Sequence, residues 1–118
     1  WWEVPPDILT KAKRRRLDPV GGVHAVEHAA IGLLPLFAMC DRWDIGGLST
    51  PYHPDTDTAL VFIYDACPGG VGIAEKGFDL LGDQWRTTYD AVRDCPCEDG
   101  CPSCIQSPKC GNNNEPLD

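Results

Sequence analysis

Apolar and polar positions fall into a few blocks along the chain. From Val23 to Cys40 the residues favour helix, with His24, Glu27, His28 and Ile31 on one face. From Ala29 onward that helix is apolar all round, which predicts burial on every side. Pro35 removes the bond to Ile31 and predicts a kink or split there. Asp44 to Thr50 reads as a short strand. Ala59-Leu60-Val61-Phe62-Ile63-Tyr64 is a continuous apolar run, the pattern of a central strand covered on both faces. The polar loop Ser49 to Asp57 would make these two strands an antiparallel hairpin. Val71, Ala74, Phe78, Leu81, Trp85, Thr88 and Val92 recur in steps of three and four, which predicts one helix of about six turns with a single apolar stripe.

The ends are less regular. Trp1 to Pro6 reads as an extended lead-in, followed by a short helix with Asp7 as its N-cap. Asp18-Pro19-Val20-Gly21-Gly22 breaks the pattern. The long helix should stop at Cys95-Pro96, because proline disfavours helix in the residue before it. The tail after Cys110 offers little to pack. These elements predict an α+β fold: a small antiparallel sheet, flanking helices and a C-terminal four-cysteine loop. The expected layout is a lead-in with a basic run over 1–19, a helix-hairpin-helix core over 20–94, a zinc loop over 95–110 and a tail over 111–118.

Length and charge narrow the function. A chain of 118 residues is one domain of ordinary size. It opens on Trp1 and its one methionine is Met39, so it is expected to be a fragment of a longer protein. No signal peptide is expected. The longest apolar stretch, Ala29 to Cys40, is too short and too broken to span a membrane, and a cytoplasmic protein is expected. The formal net charge is −8, which argues against a generic nucleic-acid-binding surface. Lys11, Lys13, Arg14, Arg15 and Arg16 are half of the basic residues. They offer either a solvated face or a contact with DNA phosphates or an acidic partner domain.

Five of the seven cysteines lie between Cys95 and Cys110. Cys95, Cys97, Cys101 and Cys104 follow a C-x-C-x3-C-x2-C spacing, with Cys110 in reserve as a fifth candidate. Tight turns of this kind aim neighbouring sulfurs at one metal, and four thiolates make a closed, structural zinc site. Disulfides and an iron–sulfur cluster are the alternatives. Cys40 and Cys67 end apolar elements and read as buried small hydrophobes.

His24-Ala-Val-Glu27-His28 matches the inverted zinc-peptidase signature, in which two histidines bind zinc and the glutamate is the base. Glu75 is then the candidate third ligand. The opposing reading is a polar cluster that satisfies nearby backbone groups. The glycine-rich turn Asp65 to Gly72 lacks the lysine of a phosphate-binding loop and reads as a tight strand-to-helix turn.

Several ordered blocks together resemble a known family. They are His24-Ala-Val-Glu27-His28-Ala-Ala-Ile-Gly-Leu-Leu-Pro35-Leu, Cys40-Asp41-Arg42 with Asp44-Ile-Gly46-Gly47, Tyr64-Asp65 with Pro68-Gly69-Gly70-Val-Gly72, and the cysteine block through Cys110-Gly-Asn. The chain is similar to the C-terminal zinc-binding domain of superfamily-2 DEAD/DEAH-box helicases of the MrfA type. The resemblance implies a parent that is an ATP-dependent 3′-to-5′ DNA helicase linked to repair of mitomycin and crosslink damage. It implies structural zinc on Cys95, Cys97, Cys101 and Cys104, and ATP with magnesium only in the parent's core. It also implies the helicase core as partner, DNA reached through the parent at the nucleoid, and no membrane or small-molecule substrate. His24, Glu27, His28, Asp41, Asp44 and Asp65 match family blocks and are expected to form a polar cluster that organises the core.

Overall fold

β3 (Thr58–Asp65) runs through the middle of the domain, between β1 (Trp2–Val4) and β2 (Ile45–His53), and both neighbours are antiparallel to it. All residues, 1–118, are described in this computed structural model. Ala59 and Val61 are fully buried and Leu60 is 2% exposed. Successive strand residues point to opposite faces, so three buried in a row mean cover on both sides. The cover is one-ended: from Phe62 the strand is half-buried, and Tyr64 is exposed. The lead-in is not a free segment, because Trp2 and Val4 pair with Val61 and Ala59. The hairpin loop is also shorter than the polar stretch suggests, since β2 continues to His53 through an irregularity after Thr50.

α1 (Pro6–Arg14) starts on Pro6, with Pro5 at the cap position. Asp7 therefore sits in the first turn, where it takes the Lys11 ammonium at 3.1 Å. α2 (Pro19–Leu33) begins inside the stretch expected to break structure. Asp18 accepts the Val20 amide at 3.0 Å, and Pro19 suits the first helical position. The helix ends just before Pro35 in a 3-10 turn, Leu34–Leu36. Ala29, Ala30, Ile31, Leu34 and Ala38 are buried, but Gly32 and Leu33 are half-buried and Leu36 and Met39 exposed, so beyond Ile31 the segment is covered on one side only.

The expected six-turn helix is two helices, α3 (Ile73–Asp79) and α4 (Leu81–Arg93), divided at Leu80. Each docks on α2's end of the core differently. Gly77 lets α3 press on Leu34, while Gln84 of α4 donates to the Ala30 carbonyl at 3.1 Å. The apolar stripe is buried only in part: Val71, Phe78 and Val92 are exposed, while Thr88 is buried together with Gln84, which lies off the stripe.

From Asp94 onward the chain has turns alone, yet it is docked. Ile105 packs with Ala25 and Ala29 of α2, and Cys104 and Leu117 pack against them. The tail thus packs where little packing was expected. Cys40 is half-buried and packs against the cluster around Leu34, whereas Cys67 is exposed in the turn after β3 and is not the buried hydrophobe expected.

Candidate metal centre

Cys95 follows α4 directly, and the next turns bring four sulfurs together. Sγ–Sγ distances are 3.4 Å for Cys95–Cys97, 3.6 Å for Cys95–Cys101, 3.5 Å for Cys97–Cys104 and 3.7 Å for Cys101–Cys104. All four sulfurs lie within 4.8 Å of one another. A tetrahedron with zinc–sulfur bonds of about 2.3 Å has edges of about 3.8 Å. A disulfide needs about 2.05 Å, so the spacing suits a shared cation and excludes bonded pairs. The Cys104 amide donates to the Cys101 carbonyl at 3.0 Å, and the Cys101 amide points at the Cys104 sulfur at 3.3 Å. This is the turn that Gly100, at φ 83°, and Pro102 allow. The four thiols are unequal. The Ser103 amide and the Cys95 thiol bring Cys101 down to about 7, while the neighbouring Cys95 and Cys104 push Cys97 up to about 12.

Cys110 is not part of this group. Its Sγ lies 3.4 Å from His24 Nε2, and the ligand atoms of His24, His28 and Cys110 lie within 4.8 Å of one another. Glu75 is exposed on α3 and does not join the histidines; the third member beside them is Cys110. Glu27 and His28 are buried, and burial holds the His28 imidazole below its ordinary value. The 86 positions between His24 and Cys110 hid this grouping from the spacing of the sequence.

The aspartates act on backbone. Asp41 accepts the Trp43 amide at 2.9 Å, and Asp44 accepts the Asp41 amide at 2.7 Å, closing the 3-10 turn Arg42–Asp44. Asp65 accepts the amides of Val71, Gly72, Ile73 and Ala74 at 2.5–3.2 Å. The Ala74 and Val71 bonds hold its carboxyl below the usual range. Gly72, at φ 86°, caps α3 without a side chain of its own, so Asp65 supplies the acceptor. Lys11, Lys13, Arg14, Arg15 and Arg16 are all exposed. Lys11 alone among them has a carboxylate within ion-pair distance.

An α+β domain whose tail gathers four thiols into one tetrahedron is built as a structural zinc-binding domain. The chain belongs to the MrfA Zn-binding domain family, whose model matches residues 26–105. It is 39% identical over 99 residues to the uncharacterized protein MJ1572.1 of Methanocaldococcus jannaschii, covering 81% of this chain and 88% of that one. It is 40% identical over 73 residues to the uncharacterized ATP-dependent helicase YprA of Bacillus subtilis, covering 62% of this chain and 10% of YprA. It is 28% identical over 127 residues to the ATP-dependent helicase HRQ1 of Saccharomyces cerevisiae, covering 97% of this chain and 12% of HRQ1. The crystal structure of the DUF1998 helicase MrfA bound to DNA holds a similar domain. The TM-score is 0.66 at 33% identity, over 79% of this chain and 13% of that one. The chain thus spans about a tenth of the helicases it matches and most of the archaeal protein. No helix is long and apolar enough to cross a membrane.

Proposed function

We propose that residues 1–118 serve as the zinc-held accessory domain of an ATP-dependent 3′-to-5′ DNA helicase engaged in repair. The observation that carries this reading is the likeness to MrfA bound to DNA, at 33% identity and a TM-score of 0.66. Cys95, Cys97, Cys101 and Cys104 are the zinc ligands in this reading. Four protein sulfurs leave no open position on the metal, so the zinc fixes the tail against the helices and takes no part in a reaction. ATP and magnesium belong to the helicase core, which this domain contacts. Within this acidic domain, Lys13, Arg14, Arg15 and Arg16, which have no carboxylate partner, form the face offered to DNA.

The test is ATP-driven unwinding of a 3′-tailed duplex by a helicase carrying this domain. A Cys101→Ser, Cys104→Ser variant should unwind at least about tenfold more slowly, as expected when metal loss is also loss of folding. Unchanged unwinding overturns the reading. In equilibrium binding of the same helicase to the same duplex, replacing Arg14, Arg15 and Arg16 by Ala should flatten the salt dependence. An unaltered slope rejects DNA contact by the basic run.

A further inference from the structure

His24 and His28 lie one turn apart on α2, with ring centroids 4.3 Å apart. Each ring is pinned at Nδ1 by a main-chain carbonyl from the tail: His24 by Pro116 and His28 by Ile105, both at 2.8 Å. A carbonyl oxygen can only accept, so each neutral imidazole carries its proton on Nδ1. That assignment follows from the bonding partners. It leaves both Nε2 lone pairs free, and His24 Nε2 faces Cys110 Sγ at 3.4 Å. Metal-binding histidines are oriented in this way, by a hydrogen bond from the ring nitrogen that does not bind. Two imidazole nitrogens and one thiolate are a donor set for a borderline-soft divalent cation.

A second observation is independent of that trio. Glu27 is 8% exposed, lines the same cleft of about 840 Å³, and has no hydrogen bond or ion pair. Its Oε1 is pressed against Gly47 of β2. Its carboxylate opens on the cleft with no protein cation beside it, and a cation bound there would supply the missing partner. The one ammonium on the cleft wall, Lys109, is turned away, donating to the Arg42 and Ile45 carbonyls.

We propose that His24, His28 and Cys110 form a second metal site, separate from the four cysteines, that takes a zinc-class divalent cation. Three protein ligands leave the fourth position to water or another oxygen donor from the cleft. Glu27 stands on the cleft wall, where its charge offsets that of the cation. The site ties the tail to α2 across 86 positions of sequence.

The experiment is metal analysis of the reduced, zinc-replete 118-residue chain. The expected content is about two equivalents, one for each site. A His24→Gln, Cys110→Ser variant should keep about one, with the cobalt-loaded form retaining the charge-transfer bands of a four-thiolate site. One equivalent in the wild type, or two in the variant, overturns the proposal. A Cys101→Ser chain reads the other centre, so loss at one site is distinguishable from loss at the other. Should the double variant not fold, nitrogen NMR of the wild type decides. The second equivalent of zinc should shift His24 and His28 Nε2 while both Nδ1 remain protonated, and unmoved resonances overturn the site.

Discussion

Four backbone amides converge on Asp65, and they favour its ionised form. The carboxyl is held below its ordinary value, so the unfolded chain takes up the proton first as pH falls. The stability it contributes is therefore complete above the unfolded value, near 4, and is lost on acidification through the folded one. Asp65→Asn should lower the melting midpoint at neutral pH by roughly 3–6 °C, the size of about 1 kcal/mol in such a domain. It should also flatten the fall in melting as the pH drops below the ordinary carboxylate value. A variant that keeps the wild-type acid limb contradicts this role. At this scale the sequence is readable where chemistry is local. Cys95, Cys97, Cys101 and Cys104 lie within ten positions, and their spacing alone aims them at one point. Cys110 belongs beside His24 and His28, and nothing short of the fold brings that pair of segments together.

Among the elements, contact between β2 and α2 is set by a residue without a side chain. A Cβ on Gly47 would overlap Ile31 Cδ1 and stand 2.8 Å from Glu27 Oε1. Gly47→Ala should cost about 1–3 kcal/mol, the usual effect of overfilling a packed contact. Gly82, in the first turn of α4, meets nothing within 4 Å. Gly82→Ala should be neutral or add about 0.5 kcal/mol by limiting the unfolded chain. Chemical denaturation of the two variants checks the pair, and equal effects would show that Gly47 is not a contact residue. The hairpin and α2 were legible because their apolar runs are long. The Leu80 break was not, because Val71 to Val92 keep helical spacing through it. What divides the helix is docking, with Gly77 against Leu34 and Gln84 against Ala30. β1 was hidden for the opposite reason: three residues are too few to show an alternation, and pairing with β3 makes them a strand.

For the whole molecule the question is how much of the fold depends on zinc. Of the thirteen buried hydrophobic residues, Ile105 alone comes from the segment after α4. The clusters around Leu34 and Val61 are built from α2, the sheet, α3 and the turns between them. A structural zinc site contributes about 10–16 kcal/mol where it is a peptide's whole source of order. Here most of the buried surface lies elsewhere, so chelation should unfold one part and spare the rest. Hydrogen exchange reads this directly. Stripping zinc should expose amides from about Cys95 to Asp118 together with the His28 turn that Ile105 holds, while Ala59, Leu60 and Val61 stay protected. The melting transition of the remaining core should broaden and fall without vanishing. Simultaneous loss of protection in β3 would instead mean that the metal holds the whole domain, and that the sheet and α2 do not fold without the tail.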